Sequence, residues 1–333
     1  MDNISLKDSR EVAERIISNV QKVIVGKNIS IKLGVMALLC KGHVLIDGVP
    51  GVGKTMLARS IAASTGGSFK RIQCTSDLLP SDITGTYIFD QKDRDFHFRP
   101  GPIIANLVLV DEVNRASPRT QSAFLEAMEE RQVTVDGVTH ETPQPFFLLA
   151  TRNPAEHGGT FPLPETELDR FLLRIRLDYP TPEEEVAIIE GQLPVHPIRN
   201  LGKVVDIQEV TLAQEAVRRV FVDRLITDYV ISVTAATRNH PSIYLGASPR
   251  GSLALVGLAQ ANALLEGRDF ILPDDVKAVA TSALGHRIFL TPEGRGQGTE
   301  DDVIQTILES IPVERRTSQQ SFPFPSVRPS STQ

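Results

Sequence analysis

The run Gly48-Val49-Pro50-Gly51-Val52-Gly53-Lys54-Thr55 fits the pattern G-x-x-x-x-G-K-[ST] and follows directly on the apolar run His43-Val44-Leu45-Ile46. A strand, a glycine-rich loop and then a helix form a phosphate-binding loop, which restricts the chain to folds that present backbone N–H groups to a polyphosphate. The glycines let those N–H groups turn toward the anion, Lys54 can reach the β and γ phosphates, and the Thr55 hydroxyl can ligate Mg²⁺. Met56 to Ala62 reads as the helix, and its N-terminal dipole faces the same anion.

A chain of 333 residues suggests two domains, since one domain usually takes about 100–200 residues. The net charge of −6 disfavours a protein whose main work is gripping nucleic acid, which calls for a basic balance or a dense Lys/Arg stripe. Cys40 and Cys74 stand apart with no C-x-x-C, so neither a disulfide framework nor a zinc site is indicated, and both read as small buried residues. The seven His residues never fall at i, i+4 spacing. The polar start and the lack of an apolar run of roughly 20 residues argue against membrane insertion, and a cytoplasmic location is the expectation.

Val12, Ile16, Ile17, Val20 and Val23 recur at helical spacing between Ser9 and Val25, and a second helix is predicted over Asn28 to Leu39. Phe69 to Cys74 is a short strand candidate. Leu107 to Val110 and Phe146 to Ala150 lack polar residues, as befits strands buried on both faces of a parallel sheet. Two hairpins interrupt the pattern. One runs from Gly85 to Phe98 through a polar turn at Gln91 to Arg94, and the other pairs Gln132–Val135 with Val138–His140 across Asp136-Gly137. Between the hairpins a helix is predicted over Gln121 to Glu130. This is an open parallel α/β sheet with its ligand at the carboxyl edge. Beyond Pro182 helices dominate, at Glu183–Gln192, Leu212–Val220, Ile226–Arg238, Ser252–Glu266 and Asp274–Leu284, and the Ser-, Pro- and Gln-rich end from Thr317 reads as a flexible tail.

Binding a phosphate does not hydrolyse it, so the acids that end the strand Leu107–Val110 matter most. Asp111 is placed to hold Mg²⁺ through water, and Glu112 to act as general base on the attacking water. Asn153, at the end of the next buried strand, either orients that water and senses the γ-phosphate or simply opens an Asn-Pro turn. Arg170, in Leu168-Asp169-Arg170-Phe171, is either a surface ion-pair partner or a finger that neutralises transition-state charge. Arg250 opens a helix in the second half of the chain, and spacing leaves its role equally open.

Together these segments resemble the MoxR family of AAA+ ATPases from about Gln21 to Leu290. The resemblance rests on Val23-Ile24-Val25-Gly26, the phosphate loop, Leu107 to Ala116, Thr151-Arg152-Asn153-Pro154, Gly159 to Glu165, Leu168 to Phe171 and Gly246 to Gly251. It implies an α/β P-loop AAA+ core over residues 1–199 with hairpin insertions at about 85–100 and 131–141, a smaller all-α lid over 200–312 and a tail over 313–333. It also implies ATP as substrate and Mg²⁺ as cofactor, with Val25 and Gly26 lining the adenine pocket, Arg170 as an arginine finger reaching a neighbour's nucleotide and Arg250 as the lid's sensor arginine.

Ring assembly, most often a hexamer, a partner with a von Willebrand factor A domain, and remodelling of or metal-cofactor insertion into a client protein follow from the same resemblance. A magnesium-chelatase-type motor subunit and a nucleotide-gated scaffold or switch are the alternatives. The hairpins would lie near the ring's axial surface, where a client is engaged, and Arg115 would contact a neighbour. The chain departs from the family pattern at Arg152, where Gln is usual, at His157, and at Thr166-Glu167, where Ala-Gln is usual.

Overall fold

Five parallel strands form the centre of the protein: β1 (Val44–Gly48), β2 (Phe69–Gln73), β5 (Leu107–Asp111), β8 (Phe147–Arg152) and β9 (Leu173–Leu177), in the order β2-β5-β8-β1-β9. The computed structural model describes residues 4–153, 160–193 and 196–312. The expected tail at 313–333, His157, and the motif residues Pro154 and Gly159 lie outside them. Successive side chains on a strand face opposite ways, and both faces are covered. Val44, Ile46, Leu107, Leu109, Phe147 and Leu149 enter one core, while Leu45, Val108, Val110, Leu148 and Ala150 enter the other.

The parallel registers bring the carboxyl ends into line. Gln73 lies opposite Asp111, Val110 opposite Ala150, and Asp47 opposite Arg152. The strand β9 escapes a search for apolar runs because Arg174 and Arg176 alternate through Leu-Arg-Ile-Arg-Leu. Arg174 is nevertheless buried, and it bonds Asp301 at 2.8 Å.

Both expected hairpins are present. One pairs β3 (Gly85–Asp90) with β4 (Asp95–Pro100), and the other pairs β6 (Gln132–Val135) with β7 (Val138–Glu141). They meet at His140, whose ring stacks on Phe98 with centroids 3.7 Å apart and whose Nε2 lies 3.3 Å from the Tyr87 hydroxyl.

The flanking helices are α1 (Leu6–Gln21), α2 (Asn28–Leu39), α3 (Lys54–Thr65), α4 (Pro80–Thr84), α5 (Pro118–Glu130), α6 (Glu165–Leu168) and α7 (Pro182–Gln192). A helical region follows, with α8 (Ile207–Val217), α9 (Arg224–Asn239), α10 (Pro249–Leu265), α11 (Pro273–Leu284), α12 (Pro292–Arg295) and α13 (Glu300–Ser310), and with one short pair of strands, β10 (Ile243–Leu245) and β11 (Phe289–Leu290).

Caps explain where helix ends differ from the sequence-based expectation. Ser5 accepts from Asp8 N–H, so α1 starts before Ser9, and it stops short of Val23, which frees Val23 to Val25 for the site below. A reciprocal cap between Asp206 and Glu209 starts α8 ahead of Leu212, and a similar Thr299–Asp302 cap starts the unforeseen α13. Cys74 is fully buried as expected, whereas Cys40 is only partly so. Among the described residues, no helix is long and apolar enough to cross a membrane.

The helical region and the sheet share one continuous apolar core. Arg287, at 5% exposure, pins them together. It donates to Asp169 Oδ1 at 3.0 Å, to the Leu172 carbonyl at 2.9 Å and to the Phe171 carbonyl at 2.5 Å, while burial pulls its guanidinium down to about 10. Satisfying an Arg with carbonyls as well as a carboxylate is what makes its burial tolerable.

His43 anchors the start of β1. Its Nδ1 accepts from Leu148 N–H at 3.0 Å, so Nε2 carries the proton and donates to the Met128 carbonyl at 3.1 Å. A second proton would point at an N–H, and burial together with the nearby Arg131 charge lowers the pKa to about 4. Because the folded value is depressed, the unfolded chain takes up the proton first. The stability that neutral His43 supports is therefore present above pH 6.5 and is lost between pH 6.5 and about 4. Denaturant titrations over that window should show the protein losing up to ~3 kcal/mol relative to a His43→Asn variant; parallel pH profiles would refute the assignment.

Candidate functional site

The phosphate loop leaves β1 at Gly48 and enters α3 at Lys54. A Cβ on Gly48 would stand 2.6 Å from the Leu177 carbonyl, so glycine there lets β1 and β9 close. Gly51 and Gly53 hold φ of +87° and +92°, a left-handed backbone that any other residue would adopt only under strain. Pro50 and Gly51 form the exposed crown of the loop. The Lys54 ammonium bonds back to the Gly48 carbonyl at 2.6 Å, spanning the concavity in which a phosphate would sit. Asp47, directly before the loop, is clasped by Arg152 through two bonds of 2.5 and 2.8 Å. Burial works against the Arg152 charge, but the Asp47 hydrogen bonds and charge outweigh it and raise its pKa.

Beside the loop, the end of β5 carries the acids. Asp111 is buried, and its Oδ2 lies 3.4 Å from the Thr55 hydroxyl, so two hard oxygen donors sit side by side. The same oxygen accepts from Arg71 Nε at 2.6 Å, and Oδ1 accepts from the Thr151 hydroxyl at 3.1 Å. Glu112 adopts φ +56° and ψ +51°, an uncommon backbone for a residue with a side chain. With that backbone its N–H donates to Thr151 Oγ1 at 2.9 Å. Glu112 Oε2 then accepts from Gln73 Nε2 at 3.0 Å and from Arg115 at 3.2 Å. Asn153 is buried and shares a cavity of about 650 Å³ with Asp47, Gly48, Val49 and Arg152.

A second cavity, of about 150 Å³, opens on the other side of the loop. Val25, Gly51, Val52, Gly53 and Met56 line it, together with Ile24, Lys27 and, from the far side, Ile188 of α7. Gly26, expected beside Val25 in the lining, is not part of it. It has φ +75°, and a Cβ there would collide with Glu184, which is 3.2 Å from Lys27. The mostly apolar walls beside a glycine-rich loop suit a flat heterocyclic base next to a polyphosphate.

Arg170 and Arg250 are elsewhere. They line a cavity of about 330 Å³ with Lys41, Gly42 and His43, which precede β1, and Leu172, which precedes β9. They therefore stand at the amino edge of the sheet, whereas Lys54 follows its carboxyl edge. The four steps of β1 alone separate the two edges by roughly 13 Å at ~3.3 Å per residue. Arg170 bonds Glu129 at 2.9 Å, and Arg250 bonds the other oxygen of the same carboxylate.

Reading the sequence overlooked the residues that hold the acids in place. Arg71 and Gln73 alternate along the edge strand β2 and reach toward the end of β5, and Thr151 ties Asp111 to the Glu112 backbone. Polar residues at the ends of β2, β5 and β8 were the available signal, and it was read only for β5 and β8.

The first half of the chain, residues 43–173, matches the family described as "ATPase family associated with various cellular activities (AAA)", and residues 235–307 match the AAA lid domain. The chain is 47% identical over 312 residues to the uncharacterized protein YeaC of Bacillus subtilis, covering 93% of this chain and 98% of that one. It is 40% identical over 326 residues to chaperone MoxR1 of Mycobacterium tuberculosis, covering 94% and 86%. A solved structure of a candidate ATPase from Cytophaga hutchinsonii superposes with a TM-score of 0.86 at 35% identity, over 92% of this chain and 96% of that one. A phosphate loop with glycines at its positive-φ positions, an acidic pair at the end of β5 and a helical region on the same core accompany these likenesses, and the chain belongs to the MoxR-like family of AAA ATPases.

Proposed function

We propose that this ATPase works as a ring of identical subunits, a hexamer in the reading the family resemblance favours, with each catalytic site completed by the neighbouring subunit. One observation carries this: Arg170 and Arg250 sit together at the amino edge of the sheet, while the phosphate loop and Glu112 sit at the carboxyl edge. Neither arginine reaches the nucleotide of its own chain in this arrangement, yet both are poised to meet one presented by a second copy. A finger supplied across an interface is worth about 10³–10⁵ in rate, which couples turnover to assembly.

In this reading the core spans residues 1–199 and the lid 200–312. Val25 and the cavity beside α7 take the adenine, with Gly26 letting α7 approach. Gly48 to Thr55 cradle the phosphates, Lys54 turns from the Gly48 carbonyl to the β and γ phosphates, and Met56 continues the helix behind them. Thr55 and Asp111 are the residues that would hold Mg²⁺, a hard cation suited to adjacent hydroxyl and carboxylate oxygens. Bound there, it would offset phosphate charge. Glu112 takes the proton from the attacking water, and Asn153 orients that water. Gln73 and Arg115 occupy Glu112 in the meantime, so the base must be released before it can work.

The client end of the reading is coarser. One relative is named a chaperone, and the hairpin β3–β4 carries Ile88, Phe89 and Phe96 exposed to solvent, which suits engagement of a partner protein. Remodelling of that partner, or maturation of its metal cofactor beside a protein with a von Willebrand factor A domain, is the process the family resemblance supports. The work would be done in the cytoplasm.

Two measurements test the reading. Glu112→Gln should keep ATP affinity while losing at least ~100-fold in turnover, the usual scale of general-base catalysis; near-normal turnover would remove Glu112 from that role. Arg170→Ala and Lys54→Ala should each be inactive alone, yet regain part of the activity when mixed, because an intact loop from one can meet an intact finger from the other. Mixtures that stay inactive at every ratio would argue for sites complete within one chain.

A further inference from the structure

The cavity at the amino edge draws its two functional arginines from different parts of the chain. Arg170 follows α6 on the sheet side, and Arg250 lies in the first turn of α10. One carboxylate joins them. Glu129, in the last turn of α5, receives Arg170 Nη1 on Oε2 at 2.9 Å and the Arg250 guanidinium on Oε1. Two guanidinium groups brought to one cavity repel each other unless an anion lies between them, and a fork-shaped acceptor with two oxygens suits both. A terminal phosphate offers the same kind of acceptor with more charge.

We propose that Glu129 is an internal stand-in for the anion these arginines serve. In a subunit without a neighbour it keeps Arg170 and Arg250 aligned and neutralised, and it gives way when the adjoining subunit brings its nucleotide to the cavity. The proposal rests on the cross-subunit reading above.

Exposure indicates which contacts at this edge can open. The Glu129, Arg170 and Arg250 side chains are 35%, 33% and 46% exposed, so water can take over when they part. The Arg287 side chain, in the same cavity, is 3% exposed and fixed by Asp169 and by main-chain carbonyls, so it stays in place as the wall. Asp169 is held from the lid as well, by the Ser248 hydroxyl at 2.7 Å. Glu129 also sits at the C-terminal end of its helix, where the macrodipole disfavours a negative charge. The arginines are what hold its carboxylate in that position, and a stronger anion competes for them directly.

The test is assembly of the full chain, followed by sedimentation across protein concentration with and without ATP. Removing a competitor of this exposure should lower the assembly midpoint in ATP by roughly three- to tenfold in both Glu129→Gln and Glu129→Ala. Without nucleotide there is no anion to receive, and the midpoint should not fall. A merely structural role for Glu129 would move both midpoints alike. An unchanged or raised midpoint in ATP, or an equal fall without it, would overturn the proposal. Undiminished turnover in Arg170→Ala would instead overturn the cross-subunit reading, and it is observed without any Glu129 variant.

Discussion

Burial of the central strands on both faces is the constraint from which the rest follows. A strand such as β5, with Leu107 to Val110 fully enclosed, has no room for a polar side chain along its length. Chemistry is therefore expelled to the strand ends, and parallel pairing puts all the ends of one sense along a single line. The carboxyl line collects Asp47, Gly48, Gln73, Asp111, Glu112, Thr151 and Asn153, the polar groups around the phosphate loop. The amino line collects His43, Arg170 and Leu172, and the helical region adds Arg250 and Arg287 to it. The separation between the two lines is a property of strand length, and in the proposed assembly both would serve one nucleotide.

Ion pairs in the molecule divide by burial, and the division follows the work each one does. Asp47 and Arg152 form a two-bond pair at the entrance to the phosphate loop, with Asp47 nearly dry. Breaking such a pair strands a buried charge, which commonly costs about 3–5 kcal/mol, so the pair fixes where β1 ends and where Asn153 begins. Arg287 fixes the seam between sheet and helices in the same way. The contacts of Glu112 with Gln73 and Arg115, and of Glu129 with the two arginines, lie nearer water and are correspondingly easy to exchange. Rigid pairs frame the site, and exposed ones are left free to change partners.

Much of this was legible in the sequence because the phosphate loop and the all-apolar strands are local signals. Strand, loop and helix follow one another without a break from Val44 to Thr65, and Asp136-Gly137 marks its hairpin by turn chemistry alone. The residues that hold the acids were not legible, because Arg71, Gln73 and Thr151 reach Asp111 and Glu112 only after β2, β5 and β8 pair in one register. Nor did β9 show itself, since its buried Arg174 is held by a partner more than a hundred residues away. The union of Arg170, Arg250 and Glu129 is of the same kind. Periodicity identifies each helix or strand, but a site assembled from three elements is encoded only in their packing.

The Glu112 backbone links these two levels. A positive φ at a residue with a side chain costs about 1–3 kcal/mol, so the surrounding contacts must hold it there. Its N–H goes to Thr151, whose hydroxyl proton goes on to Asp111, so the strained turn, the end of β8 and the candidate cation ligand form one chain of hydrogen bonds. Thr151 also lies directly before Arg152, and Arg152 grips Asp47 at the root of the phosphate loop. These contacts join the strained turn to the root of the phosphate loop. The loose member is the Glu112 carboxylate, on its exchangeable partners Gln73 and Arg115, and under the proposed mechanism it is the group that would have to move to meet a water.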